Sequence, residues 1–435
     1  MHEELEPNIE KNELTILTSR LFDPRQRLFL SNISIVVDTN TGLVIGTYKR
    51  DDSSPVPDTA TEVNTIDLRG LTVLPGLVDS HTHIFLHPYS ETPSLNQMRD
   101  ESFVERVVRA TNHAKAALMA GYTTYRDLGT EGLRDADANF RDTISRGLID
   151  GPRMLVATEC IASSGGYEIR QEHGMHCHGA YAPRISDPAD GIDGVRAAVR
   201  RRLGAGADII KFYADYRKRQ LRFPVPAWPG SREEMNVMVA EARAGKAPIA
   251  AHAQSPEAVI MAAKAGVTSV EHGYMPSEEA LNAMKENGTI FVPTLAVIEA
   301  LLLPGGGSNS NAHRTFQVIL DHTKAAYKKG IKLACGGDTG AFAHGDNVRE
   351  LELLVKAGVP LDYVLQAATL HGWEACGGDL CGRRFGCIEK GFAADIIALR
   401  GDVAKDLGAL RRVDFVMKDG KMYKDERKLK FVERP

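Results

Sequence analysis

The chain has 435 residues, of which 43% are hydrophobic and 25% charged, and its formal net charge is −4. This composition is typical of a globular protein and excludes an intrinsically disordered chain. The 53 basic and 57 acidic residues nearly balance, with no block of like charge, so we expect no nucleic-acid partner and no membrane partner. No apolar run reaches the ~18 residues that a transmembrane helix needs.

Both ends of the chain are rich in β-branched residues and turn residues. Strand-like runs lie at residues 14–18, 33–37 and 43–48 near the N-terminus, and at 395–399 and 413–417 near the C-terminus. Residues 418–421 contain Asp-Gly, which is typical of a tight β-hairpin turn. We expect residues 1–75 and 383–435 to meet in one small β-sandwich domain.

The middle of the chain alternates between short apolar runs and helical patterns. The runs lie at residues 76–80, 122–125, 153–157, 208–212, 248–252, 269–272, 289–293 and 332–335. Helical patterns lie between and after them, including 256–265, 277–287 and 361–375. Eight such repeats predict an α/β fold, a (β/α)₈ TIM barrel at residues 76–382. The alternative, an open doubly wound sheet, usually has a glycine-rich loop after its first strand, where this chain has histidines.

Polar residues follow or end several of the predicted strands. His81 and His83 are two residues apart after the first strand, so both can point to the same side. Lys211 interrupts the fourth predicted strand. His252 and His272 end the fifth and sixth strands, and Asp338 follows the eighth. Each alone would be read as a structural residue, but barrel enzymes place their active sites at these strand ends. Imidazoles and a carboxylate meeting there predict a metal site.

Four segments resemble motifs of the amidohydrolase superfamily. They are Gly-Leu-Val-Asp-Ser-His-Thr-His at residues 76–83, Gly-Tyr-Thr-Thr-Tyr-Arg-Asp-Leu-Gly at 121–129, Gly-Gly-Asp-Thr-Gly at 336–340 and Gly-Phe-Ala-Ala-Asp-Ile at 391–396. Within the superfamily, the chain is most similar to the binuclear amidases and carboxypeptidases of the Xaa-Pro dipeptidase-like group, which includes fungal enzymes that hydrolyse ochratoxin A. In that group a lysine in the position of Lys211 is carboxylated and bridges two metals.

The resemblance implies a metal set and a role for each ligand. His81 and His83 would hold one zinc ion with Asp338, and His252 and His272 would hold a second one. Two metals that share a hydroxide need a bridging anion. A buried neutral lysine can supply it by taking up carbon dioxide, so we expect Lys211 to be N6-carboxylated. Asp338 would also be the catalytic residue that moves a proton from the water to the leaving amine.

The expected reaction is hydrolysis of the amide bond of an N-acyl or peptidyl amino acid with a free carboxylate. By resemblance, this small-molecule substrate is ochratoxin A, cleaved to ochratoxin α and phenylalanine. A general Xaa-Pro dipeptidase or carboxypeptidase fits the residues equally well. A mononuclear deaminase has no use for the bridging Lys211, and a non-catalytic scaffold would not need all six polar positions.

Two further sets of expectations are less direct. Candidate substrate-binding residues are Tyr167, Tyr213, Tyr216 and Arg217, whose phenol and guanidinium groups can bind a carboxylate. Residues 173–178 contain three histidines and a cysteine, which we interpret as a loop covering the site. By resemblance we expect a secreted homo-oligomer, such as an octamer, although the N-terminus has no signal-peptide pattern.

Overall fold

The computed structural model describes residues 12–51, 64–164, 185–215, 232–306 and 309–427. Its strands, in chain order, are β1 (Glu13–Leu17), β2 (Arg20–Asp23), β3 (Leu28–Ser31), β4 (Ile33–Asp38), β5 (Leu43–Lys49), β6 (Thr65–Asp67), β7 (Thr72–Pro75), β8 (Leu77–Thr82), β9 (Tyr122–Asp127), β10 (Arg153–Val156), β11 (Cys160–Ala162), β12 (Ser186–Pro188), β13 (Ile210–Tyr213), β14 (Ile249–Ala253), β15 (Ser269–His272), β16 (Ile290–Val292), β17 (Ile396–Leu399), β18 (Val413–Lys418) and β19 (Lys421–Asp425).

The α-helices are α1 (Ser94–Asp100), α2 (Phe103–Met119), α3 (Ala136–Ser145), α4 (Gly191–Gly204), α5 (Arg232–Ala244), α6 (Pro256–Ala265), α7 (Glu278–Glu286), α8 (Leu295–Leu302), α9 (Ser310–Lys328), α10 (Val348–Lys356), α11 (Leu361–Ala367) and α12 (Leu370–Ala375). Within the described ranges, no helix combines the length and the apolar character needed to cross a bilayer.

Strands from the two ends of the chain pair with each other. One sheet has the order β5-β4-β1-β6, and the other has the order β19-β18-β17-β7-β2-β3. In the second sheet β17 runs antiparallel to β7, with Ile396 opposite Pro75. Ile16, Val37, Val73 and Phe415, from both sheets, belong to one buried cluster. The two ends therefore share a core, while the boundaries at 75 and 383 stay a prediction.

The middle of the chain forms two parallel sheets, with orders β10-β9-β8 and β12-β11-β13-β14-β15-β16. Strands β8, β9, β13, β14 and β15 are buried along their whole length, as expected when helices cover both faces of a parallel sheet. The chain is thus an α/β protein. The strand pairings of the described residues form these two sheets and not a single closed ring.

The predicted eighth strand, at residues 332–335, does not form as a regular strand. Leu333 makes an isolated parallel bridge to Phe291, and Thr339 makes another to Thr82. The segment still lies between β16 and β8, because Ala334 N donates to the Phe291 carbonyl and Ser80 N donates to the Cys335 carbonyl. Gly336 then packs so closely on His81 that a Cβ would lie 2.8 Å from its backbone nitrogen. Regular strand pairing is therefore absent from the segment that brings Asp338 to the cavity.

Candidate metal centre

The six polar residues predicted from the strand ends line one cavity of about 310 Å³. His81, Lys211, His252 and His272 lie on β8, β13, β14 and β15, and the other two are His83 and Asp338 in loops. Parallel strands bring their carboxyl ends to the same edge, which explains why residues so distant in sequence meet. The expected convergence is therefore found, while their roles as metal ligands stay a prediction.

Three of these residues form a compact donor cluster. The Oδ1 atom of Asp338 lies 3.1 Å from His83 Nε2 and 3.6 Å from His81 Nε2. One ligand atom from each residue lies within 4.8 Å of the others. Burial opposes charge on His83, yet the hydrogen bond to Asp338 raises its pKa to about 9. Burial lowers the pKa of His81 to about 4, helped by the nearby Lys211 charge. Two imidazoles and one carboxylate so arranged could hold a metal ion.

The Nδ1 atom of His81 contacts a fully buried ion pair formed by Glu271 and Arg126. His81 Nδ1 lies 2.8 Å from Glu271 Oε2, and Glu271 Oε1 accepts from Arg126 Nη2 at 2.8 Å and from Ser269 Oγ at 2.5 Å. Burial alone would raise the pKa of Glu271, but the charge of Arg126 and the bond to His81 lower it to about 2. The Glu271 carboxylate thus favours a proton on His81 Nδ1 and leaves Nε2 as the ligand atom.

Two more histidines are oriented in the same way. His83 Nδ1 donates to the Gly129 carbonyl at 2.8 Å, and His272 Nδ1 lies 2.9 Å from Thr294 Oγ1. His272, Thr294 and Asp338 have φ values of 73°, 49° and 61°, a region that residues other than glycine rarely adopt. Strained backbone of this kind persists only where the surrounding structure fixes it, and it is concentrated at functional sites.

Lys211 is the most unusual group in the cavity. Only 2% of the residue is exposed, and its Nζ has no hydrogen-bond partner among the described residues. Burial lowers the pKa of this amine, and the charges of Glu271 and Asp338 only partly oppose that shift. The amine is therefore biased toward its neutral, nucleophilic form.

Of the candidate substrate-binding residues, Tyr213 lines the cavity, and its ring centroid lies 5.1 Å from that of His252. Tyr167, Tyr216 and Arg217, and the loop at residues 173–178, lie outside the described residues. Other residues that line the cavity were not predicted from the sequence, namely Tyr89, Ser94, Glu131, Gln254, Tyr274, Val297 and Ile298. Arg126 and Glu271 were not predicted either, although a charged side chain within a buried strand was a usable signal.

Comparison with known proteins identifies the family. The amidohydrolase family model matches residues 72–423. Ochratoxinase of Aspergillus niger is 28% identical over 440 residues, covering 95% of this chain and 88% of the ochratoxinase. A solved Xaa-Pro dipeptidase with methionine bound in its active site is 31% identical, with a TM-score of 0.79, and covers 95% of this chain and 100% of its own.

The crystal structure of A. niger ochratoxinase superimposes with a TM-score of 0.79, covering 96% of this chain and 97% of that one. Its identity in the structural alignment is 24%, so this likeness concerns the fold alone. The predicted superfamily is confirmed by the family match and by the two relatives. The chain belongs to the amidohydrolase family and is a hydrolase.

Proposed function

We propose that the protein is a binuclear zinc amidohydrolase that cleaves the amide bond of N-acyl or peptidyl amino acids with a free carboxylate. The observation that carries this proposal is the convergence of four histidines, Lys211 and Asp338 on one cavity. The similarity to an ochratoxinase and to a Xaa-Pro dipeptidase supports amide hydrolysis, because both relatives are named for cleaving such bonds.

The same proposal includes a (β/α)₈ barrel at residues 76–382 and a β-sandwich from the two ends. Its support is the parallel pairing of β8–β10 and of β11–β16, and the bridges from residues 333 and 339 to both sheets. In this arrangement the segment from 332 to 335 takes the place of the eighth strand. Secretion and assembly into a homo-oligomer stay predictions from resemblance.

The residues present fit two metal ions. His81, His83 and Asp338 would hold one ion, His252 and His272 would hold the other, and Lys211 would bridge them. Zinc held there would polarise the scissile carbonyl and make water acidic enough to attack it near neutral pH. Nitrogen and oxygen ligands of this kind are typical of catalytic zinc.

The Lys211 amine fits the role of a bridge because its Nζ is buried without a hydrogen-bond partner among the described residues. The neutral amine adds to carbon dioxide, forming an N–C bond and losing one proton, and the product is a carbamate anion. This reaction converts an amine that burial biases toward its neutral form into an anion that metal ions can bind.

Asp338 is proposed to move the proton during hydrolysis. Burial opposes its charge, but the neighbouring His81 and His83 lower the pKa of its carboxyl group, so Asp338 enters the reaction as a carboxylate. It accepts a proton from the attacking water and returns it to the nitrogen of the leaving amine. One carboxylate can make both proton transfers when it lies beside the attacking water and beside the leaving nitrogen.

The substrate's apolar part would lie against helix α8. Val297, Ile298 and Leu301 of this helix face the cavity, which suits an aromatic or aliphatic side chain. Phenylalanine released from ochratoxin A meets this requirement, as do other apolar amino acids in dipeptides. A mononuclear deaminase is less well supported, since a one-metal site has no use for Lys211.

The test is a substrate panel on one zinc-loaded sample: ochratoxin A, N-acyl-phenylalanine, Xaa-Pro dipeptides and dipeptides ending in phenylalanine. We expect hydrolysis of at least one amide and its loss in Asp338→Asn. The control Asp321→Asn removes an exposed carboxylate on α9 and should retain wild-type rates. Hydrolysis of no amide, or wild-type rates in Asp338→Asn, would refute the proposal.

A further inference from the structure

A second cavity, of about 560 Å³, adjoins the cavity that the six polar residues line. Tyr89 and Leu301 line both cavities, so the two meet at these side chains. Leu301 is 45% exposed, which leaves apolar surface at the boundary for a ligand to cover. The first cavity, of about 310 Å³, is near the lower end of the ~300–1,000 Å³ that small-molecule sites occupy. The second cavity therefore more than doubles the volume available to a substrate.

Small side chains leave the second cavity open. Its wall includes small or apolar residues of helix α8, of the residue that follows this helix and of the loop after Asp338, namely Ala296, Ala300, Leu303, Ala341, Phe342 and Ala343. Ala300 and Ala343 are exposed, so a larger side chain at either position would fill the cavity without disturbing the protein core.

The charged groups that line the second cavity are paired within the protein. Arg349 donates to both carboxylate oxygens of Glu299, at 2.7 and 2.9 Å. Lys356 Nζ lies 4.0 Å from the same carboxylate, and Asp346 forms an ion pair with Arg411. Because these charges neutralise one another, the second cavity favours an uncharged, apolar group over an ion.

The second cavity lies on the Asp338 side of the first one. Tyr89 follows His83 in the chain, Ala341 follows Asp338, and Tyr89 N donates to the Ala341 carbonyl at 3.0 Å. In the proposed hydrolysis Asp338 returns a proton to the leaving nitrogen, so this nitrogen lies beside the carboxylate. The side chain of the leaving amino acid is then the part of the substrate nearest to Tyr89 and Leu301.

We propose that the second cavity binds the end of a long apolar side chain on the leaving amino acid, and that the enzyme prefers such amides to those of phenylalanine. This proposal rests on the amide hydrolysis proposed above and specifies its substrate class. Val297 and Ile298 contact the near part of this side chain, and the second cavity receives the part beyond Leu301. The preference arises because the far part is removed from water.

The test compares acetyl-(4-phenyl)phenylalanine with acetyl-phenylalanine, two amides that differ by one phenyl ring on the leaving amino acid. We expect wild-type kcat/KM to be about 10- to 100-fold higher for the larger amide, the range for burying an aromatic ring. Ala300→Trp and Ala343→Trp fill the second cavity from two different walls, and each should bring this ratio close to one. A wild-type ratio near one, or an unchanged ratio in either folded variant, would overturn the proposal.

The matched control is Ala325→Trp, at an exposed position of α9 that lines neither cavity, and it should keep the wild-type ratio. A second pair of amides, biphenylacetyl-phenylalanine and phenylacetyl-phenylalanine, adds the same ring on the acyl side. Ala300→Trp should leave the ratio of this pair unchanged. If Ala300→Trp lowers the acyl-side ratio and not the amine-side ratio, the acyl group occupies the second cavity and the proposal is overturned.

Binding measurements separate this proposal from the proposed hydrolysis. If the enzyme cleaves none of these amides, calorimetry with zinc-loaded protein and the phosphinic analogues of the first pair replaces the rates. Tighter binding of the larger analogue that Ala300→Trp removes supports the second cavity even when amide hydrolysis fails. Equal affinities for the two analogues overturn the proposal.

Discussion

At the scale of single residues, Lys211 is the group on which the two-metal proposal depends most. In Lys211→Ala the bridging group is lost, so we expect weaker metal binding and at least a ~100-fold loss of kcat/KM, since even indirect ligand contacts contribute 10- to 100-fold. The side chain is buried, and its removal leaves a space that a short carboxylic acid can fill. Propionate should therefore restore part of the activity, which steady-state rates with and without the acid will measure.

The control for this experiment is Lys332→Ala, which removes a half-exposed lysine that pairs with Glu374 and does not line the cavity. It should keep full activity and show no response to propionate. Wild-type rates in a folded Lys211→Ala variant would contradict the bridging role.

The contact between Glu271 and His81 gives a separate prediction about the orientation of the imidazole ring. Glu271→Gln keeps the size of the side chain but removes the charge that favours a proton on His81 Nδ1. We expect zinc affinity, measured by competition with a chelator, to fall about 10- to 100-fold. Glu374→Gln, which changes a partly buried carboxylate that does not line the cavity, should leave the affinity unchanged. An unchanged affinity in Glu271→Gln would exclude the positioning role.

The six polar residues could be predicted because each ends, interrupts or follows one of the apolar runs predicted to be strands. Arg126 and Glu271 could not be predicted, because their partnership depends on which strands become neighbours. Arg126 lies on β9 and Glu271 on β15, and they meet only across the interior between the two parallel sheets. The position of Glu131 likewise depends on a strained loop whose conformation the residue types do not specify.

At the scale of elements, helix α8 is capped by a residue from another helix. Its N-cap Thr294 makes no side-chain cap, and Glu350 of α10 accepts from Ala296 N at 2.8 Å instead. Burial raises the pKa of Glu350 to about 8. A raised pKa means that Glu350 stabilises the fold fully below pH ~4.5 and that this stability is lost as the pH rises to about 8.

The prediction is that Glu350→Gln, which is neutral at every pH, removes this dependence. Between pH 5 and 8 the wild-type free energy of unfolding should fall by a few kcal/mol relative to that of the variant, because each unit of pKa difference corresponds to ~1.4 kcal/mol. Urea unfolding at both pH values measures the difference. Parallel pH profiles for the two proteins would show that Glu350 is not buried as a neutral acid.

The predicted helices and turns agree with the structure where capping and turn residues determine their ends. Helix α6 begins at Pro256 after the N-cap Ser255 and is followed by Gly266 with a φ of 88°, as its sequence indicates. The predicted helix at 361–375 is broken, because Thr369 leaves the helical region and its hydroxyl donates to the Leu365 carbonyl. The hairpin at 418–421 forms with positive φ at Asp419 and Gly420.

At the scale of the whole molecule, a buried ion network joins the parallel sheets to the terminal ones. Arg153 of β10 lies 2.6 Å from Asp395 and 2.7 Å from Asp419. Asp395 is 1% exposed, so Arg153→Met would leave a buried charge unpaired and destabilise the protein by about 3–5 kcal/mol. Urea unfolding measures the loss, and the double variant with Asp395→Asn should recover part of it. An Arg153→Met variant as stable as the wild type would contradict the network's role.

The measurement that tests the central claim most directly is a zinc titration of the metal-free protein. Bound metal per chain and amide hydrolysis are followed together. The two-metal site predicts that two zinc ions bind per chain and that activity becomes maximal only when both are bound. Full activity at one zinc ion per chain, or full activity without metal, would contradict the proposal.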